Sequence, residues 1–163
     1  MAKQSAGLLL YRLSGDRLEV FLVHPGGPFW AKKDRGAWSI PKGEHDPEED
    51  PLTAACREFT EETGFPPPLG PFLSLTPQRQ KSGKLIRVFA ACGEVRPEEL
   101  SSNTFSLEWP PRSGRICQFP EVNQGAWFPL ETALEKIHPG QAGFLMELAI
   151  RLKEAPAAGR QES

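Results

Sequence analysis

Residues 7–11 and 18–24 are apolar runs on either side of Ser14-Gly15-Asp16. Runs of that length around a turn signal predict two strands joined as a hairpin. Pro25-Gly26-Gly27-Pro28 predicts a loop, and Ala37-Trp38-Ser39-Ile40 before Pro41 predicts a short strand. Asp50 followed by Pro51, with Gly64 thirteen residues on from Pro51, frames a helix with Asp50 as N-cap and Leu52, Ala55, Cys56 and Phe59 as its apolar stripe. A strand is expected over 85–92, hairpinned through Ser82-Gly83, then a polar connection over 94–102 and an irregular loop marked by Trp109-Pro110-Pro111 and Ser113-Gly114. A short strand over 126–128 precedes two helices, 132–137 and 142–152, separated by Pro139-Gly140, the second with Phe144, Leu145, Leu148 and Leu152 at helical spacing. Interleaved strands and helices place the chain in the α/β (α+β) class, as one domain over 1–153 with a flexible tail over 154–163.

Composition narrows the class. At 163 residues, 39% apolar and 25% charged, the chain has the make-up of a soluble domain large enough to build a core without staples. A formal net charge of −2 gives no basic field for a nucleic acid polymer. Cys56, Cys92 and Cys117 show neither zinc nor disulfide spacing, and the apolar run before Arg12 is too short for a secretion signal or a membrane span. The expected location is the cytoplasm.

Charge is distributed unevenly. Eight of the twenty residues from 43 to 62 are acidic, with Arg57 opposing them, whereas 66–93 holds no acid and carries Arg79, Lys81, Lys84 and Arg87. The acidic helix and the basic hairpin are therefore expected to face each other. At about 100° per residue Glu58, Glu61 and Glu62 share one arc of the helix. Like charges at these spacings oppose helix formation unless a cation gathers them, and clustered carboxylates suit Mg²⁺, Ca²⁺ or Mn²⁺. Such a cation makes bound water a ready nucleophile.

Gly43, Glu49, then Arg57-Glu58-Phe59 and Glu61-Glu62, closing on Gly64-Phe65, resembles a complete Nudix box, Gx5Ex7REUxEExGU with U bulky and apolar. The resemblance implies the Nudix fold, a mixed β-sheet sandwiched between helices. It also implies a metal-dependent pyrophosphohydrolase acting on a nucleoside diphosphate linked to another moiety. It implies Mg²⁺ or Mn²⁺ held by Glu58, Glu61, Glu62 and the Lys42 carbonyl, with Glu58 also a possible base and with Glu49 and Arg57 paired to brace the loop. Members of the superfamily commonly take an additional acid from outside the box, for which Glu121 is the first candidate here and Glu108 the second. Many also form homodimers.

The residues leading into the box, Trp38-Ser39-Ile40-Pro41-Lys42-Gly43, resemble the W-x-x-P-K-G segment of dinucleoside polyphosphate hydrolases. The longer phrase over 26–43 is similar to that of bacterial predicted NTP pyrophosphohydrolases. Lys42, Arg79, Lys81, Lys84 and Arg87 are candidate phosphate ligands, and Trp30, Phe29 or Trp109 could stack on a base. The same basic residues also suit a soluble sheet edge, and tryptophans serve more often as core or loop anchors. His24, His45 and His138 receive no role, and Cys56 is read as core. A P-loop enzyme is excluded, because no GxxxxGK[ST] occurs. The alternative is a non-catalytic nucleotide-binding module on the same fold, against which the intact carboxylate set argues.

Overall fold

The computed structural model describes residues 4–154. The tail expected from 154 onward falls outside these residues from 155, and Glu154 itself belongs to the last helix. The strands are β1 (Gln4–Ser14), β2 (Arg17–Pro25), β3 (Lys42–His45), β4 (Leu73–Ser74), β5 (Gln78–Arg79), β6 (Leu85–Cys92), β7 (Thr104–Glu108), β8 (Ile116–Pro120) and β9 (Val122–Pro129). The helices are α1 (Pro51–Thr63), α2 (Leu130–Lys136) and α3 (Ala142–Glu154).

One sheet runs β4-β6-β1-β2-β9, with β3 added to β1 and β5 to β6. The β1–β6 pair is parallel and the other pairs are antiparallel, so the sheet is mixed. It is buried on both faces. Leu8 and Leu10 of β1, with Phe21 and Val23 of β2, pack with Ala54, Ala55 and Phe59 of α1. The intervening Leu9, Val20 and Leu22 pack with Ala133 of α2 and Phe144, Leu145 and Leu148 of α3. Side chains two apart along a strand share a face, so an unbroken apolar run feeds two cores. Among the described residues no helix is long and apolar enough to cross a membrane.

The expected hairpin forms across Gly15-Asp16, with Ser14 opposite Arg17. Asp50 caps α1 by accepting the Thr53 backbone N–H at 3.0 Å, and Gly64 ends it with φ at 79°. The buried stripe of α1 is Ala54, Ala55, Phe59 and Thr63, while Leu52 and Cys56 lie half-buried at its margin.

The structure departs from the sequence expectations in several places, with β9 beginning at Val122 in place of a strand over 126–128 and α2 covering Leu130–Lys136 in place of 132–137. Residues 37–40 make two isolated bridges, Ser39 to Val23 and Trp38 to Ile137, in place of a strand. Lys42–His45, to which the sequence assigns no element, becomes β3 because the edge of β1 offers it a ladder. The loop expected around Trp109 forms, but as the tip of a second, two-stranded sheet, β7–β8, that the sequence reading does not anticipate, and there Glu108 accepts the backbone N–H groups of Arg112 at 3.2 Å and Gly114 at 3.1 Å.

Along one side of β1, residues Gln4 to Gly7 pair with β3 and Tyr11 to Ser14 pair with β2. The sheet is split between them. The segment leading to β3 threads this split, with Leu8 N–H donating to the Pro41 carbonyl at 3.1 Å and Ser39 exchanging backbone bonds with Val23 at 2.9 Å.

Candidate active site

The split brings the start of β3 against the C-terminal half of α1. Gln141, buried in the turn before α3, accepts the Ile40 N–H at 2.9 Å and donates to Ser39 Oγ at 3.1 Å. Trp38 is buried and donates its indole N–H to Asp34 at 2.8 Å, and Asp34 in turn pairs with Lys136. The Trp38 to Lys42 segment is thereby fixed on both flanks. Gly7 permits the fit, because a Cβ there would come within 2.9 Å of both Lys42 Cβ and the Pro41 carbonyl.

Gly43 has a similar role toward α1. A Cβ at this position would lie 2.0 Å from the Glu58 carboxyl carbon, so the Glu58 head group rests directly against the bare backbone of β3. One turn further along α1, Glu62 accepts the Lys42 backbone N–H at 3.2 Å. Glu58 and Glu62 thus bracket the first two residues of β3. Arg57 organises the solvent side: it grips Glu49 through two bonds of 3.0 Å and also reaches Glu58 at 3.0 Å and Glu61 at 3.0 Å. The Glu49–Arg57 brace is bidentate, the geometry that holds a carboxylate in one orientation.

Burial sets the electrostatics. It pushes Glu62 up to about 8, with the Glu58 and Glu121 charges adding to the rise and Lys42 opposing it. Glu58 is also raised, by burial first and then by the Glu61 charge. Glu49 is lowered by its bond to Arg57, and the Lys42 ammonium is lowered by burial. Glu121 influences Glu62 because of where the backbone leaves β8: its N–H donates to the Asn103 carbonyl at 2.8 Å, and the Asn103 N–H donates to the Glu61 carbonyl at 2.9 Å. The loop carrying Glu121 is thus tied to the end of α1.

Among the described residues no three carboxylate, imidazole or thiol groups already converge as a formed metal centre, since Arg57 draws Glu58 and Glu61 toward itself. The donor set nevertheless fits a hard divalent cation. Glu62 has a single hydrogen-bond donor among the described residues, sits beside Glu58, and is penalised as an anion by its surroundings. A cation would remove that penalty, and carboxylate oxygens are the ligands Mg²⁺ and Mn²⁺ take.

The basic hairpin forms but its cations separate. Arg79 donates to the Gly83 carbonyl at 2.9 Å within its own turn. Arg87 alternates with Ile86 and Val88, which belong to the core on the other face. Lys81 and Lys84 line a groove beside Lys42, and Lys84 pairs with Glu44 at 2.7 Å. The hairpin therefore meets β3 through Lys84, Arg87 lies opposite Ala6 on the face of the sheet that α1 covers, and Arg57 pairs with the α1 carboxylates. Trp30 is exposed with the Lys33 ammonium 5.1 Å over its ring, and Phe29 packs edge-on to Trp109 at 5.3 Å. Glu108 is engaged in its own loop, as described above. His24 is buried, bonded to the Lys33 carbonyl at 2.6 Å and to Asn123 at 3.2 Å.

Sequence reasoning missed Gln141, whose amide anchors the segment leading into the site. A glutamine one residue past Pro139-Gly140 carries no local mark of burial, so the only available signal was the turn itself.

The fold matches known structures over nearly its whole length. A Caenorhabditis elegans Ap4A hydrolase in a binary complex superposes with a TM-score of 0.61 at 21% identity, over 94% of this chain and 100% of that one. The NUDIX domain of Shewanella oneidensis NrtR, complexed with ADP ribose, gives 0.61 at 17% identity over 93% and 89%. The Escherichia coli ORF135 protein gives 0.59 at 22% identity over 96% and 94%. No curated protein matches the chain in sequence. The family model described as NUDIX domain matches residues 1–148, and the chain belongs to that family.

Proposed function

We propose that the chain hydrolyses a phosphoanhydride bond of a dinucleoside polyphosphate or a nucleoside triphosphate, by water attack on phosphorus, with Mg²⁺ or Mn²⁺ as cofactor. The observation that carries this reading is the half-buried carboxylate pair Glu58 and Glu62 against Lys42-Gly43, with the Glu121 charge acting on the same place. Two of the similar structures, an Ap4A hydrolase and a domain complexed with ADP ribose, involve nucleoside diphosphates joined to a further group. That is the substrate class the box implies.

In this reading Glu58, Glu61 and Glu62, with the Lys42 carbonyl, hold the cation. When bound, the cation supplies charge neutralisation on the anhydride oxygens and makes water easier to deprotonate. Arg57 and Glu49 keep the carboxylates in register, and the Lys42 side chain adds positive charge where the phosphates lie. Glu58 is a general base candidate, because a carboxylate with a raised proton affinity accepts a proton better near neutral pH. Glu121 is the acid from outside the box. The same reading places the enzyme in the cytoplasm as a homodimer, with its three cysteines unpaired.

The test is product chromatography with Mg²⁺ and a panel of diadenosine polyphosphates, nucleoside triphosphates and nucleotide sugars, with Glu62→Gln in parallel. Diadenosine tetraphosphate giving ATP and AMP, lost in the variant, supports the dinucleoside polyphosphate assignment. A nucleoside triphosphate giving monophosphate and pyrophosphate supports the other. If nothing is cut with either metal, the chain is a binding module.

A further inference from the structure

A groove of about 590 Å³ opens between the tip of the β5–β6 hairpin and the turn Pro139–Gln141. Lys42, Lys81, Lys84 and His138 line it, and none of the residues described along its walls is acidic. In a chain of net charge −2 that concentration of cations is a local reversal of sign. The two walls are tied, with Gln80 Nε2 donating to the Gly140 carbonyl at 3.3 Å. Lys84 is steadied by Glu44 at 2.7 Å.

The fourth member of this group is not an obvious ligand from sequence. His138 Nδ1 accepts the Gly140 backbone N–H at 3.0 Å, which occupies its lone pair. A neutral ring bonded in this way carries its proton on Nε2, so the free edge of His138 is a donor. Lys42 joins this groove to the carboxylates, since its side chain lines one while its backbone N–H binds Glu62 of the other.

We infer that the groove is an anion seat for the part of a polyphosphate chain that extends beyond the bond being cut, with His138 and Lys81 as its specificity-determining ligands. This rests on the hydrolase reading above and deepens it: ammonium groups and an N–H donor with little competing acid select longer phosphate chains over simple diphosphates. Arg79 and Arg87, expected from the sequence to share this task, have no part in the groove.

The test uses His138→Asn, which keeps a short side-chain acceptor to cap the turn, and Lys81→Ala, each compared with the wild type in Mg²⁺. Binding of inorganic tripolyphosphate, followed by calorimetry, should weaken about tenfold in each variant. KM should rise about tenfold for diadenosine tetraphosphate and change by less than about twofold for ADP-ribose. Tripolyphosphate binding equal to wild type in both variants, or KM effects equal for long and short substrates, overturns the seat even if hydrolysis is normal. If the wild type cuts no nucleotide yet tripolyphosphate binding is lost in the variants, the seat stands and the hydrolase reading fails.

Discussion

Glu62 is a residue whose surroundings oppose its own charge. Its carboxyl titrates at about 8 in the folded protein against an ordinary value of 4.5. A folded pKa above the unfolded one means that the fold favours the protonated form. The stability this contributes is complete below the ordinary value, declines as pH rises, and is gone above about 8. Glu62→Gln holds a neutral side chain of the same shape at every pH. In chelator, the variant should match wild type in urea unfolding at pH 4 and exceed it at pH 8.5 by on the order of 1 to 3 kcal/mol. A wild type equally stable at pH 8.5 would show that the carboxylate is not penalised. Turnover should move the opposite way, falling by about 10² to 10⁴ in the same variant, because in the proposed mechanism the anion that costs stability is the one that holds the cation.

Gly43 is a second residue that sets where a carboxylate lies. A Cβ there would stand 2.0 Å from the Glu58 carboxyl carbon, so the Glu58 head group would have to swing off β3 to admit it. Gly43→Ala should lower kcat/KM by about 10- to 100-fold with an unchanged circular dichroism spectrum. Near-normal kinetics would mean that Glu58 does not act from its bed on β3.

At the scale of elements, α1 and the first hairpin are legible because their ends are written locally: Asp50, Pro51 and Gly64 for the helix, and Gly15-Asp16 for the turn. The site on α1 is legible for the same reason, since helical spacing alone sets Glu58, Glu61 and Glu62 on one arc. β3 is not legible, because Lys42-Gly43-Glu44-His45 has no apolar alternation and becomes a strand only by pairing with β1. β7 and β8 do alternate, with Phe105, Leu107, Cys117 and Phe119 half-buried on one face, but Trp109-Pro110-Pro111 between them reads as loop. The basic hairpin shows the limit of charge asymmetry as a guide. Sign alone predicts attraction to the acidic helix, whereas strand alternation divides the cations: Arg87, opposite Ala6, lies on the face that α1 covers, Lys81 and Lys84 line the groove, and Arg57 binds the helix carboxylates. Gln141 acts at this scale as well, joining the turn before α3 to the segment that carries Lys42. Gln141→Leu leaves the buried Ile40 N–H without its acceptor and should cost about 1 to 3 kcal/mol in urea unfolding. A loss well below that range would mean that water or backbone replaces the amide.

Across the whole molecule, the carboxylates and β3 belong to different parts of the architecture. Glu58 and Glu62 ride on a helix packed against one face of the sheet, whereas Lys42 and Gly43 hang on the edge of β1, the strand that feeds both cores. A cation held between them would fasten helix to sheet at the split where β2 and β3 leave β1 separately. Because an unfolded chain has no such arrangement, binding must appear as stability of the entire fold. At about 100 times its dissociation constant, Mg²⁺ or Mn²⁺ should add about 2.7 kcal/mol. In a domain of this length that is a rise in Tm of about 5 to 10 °C over the protein in chelator. Most of the rise should vanish in Glu62→Gln, even though that variant begins from a higher Tm at pH 8.5. Thermal unfolding of both proteins with and without metal separates the two effects. A metal-induced shift of the same size in the variant would place the cation elsewhere, and the absence of any shift in wild type would remove the cation from the fold's stability altogether.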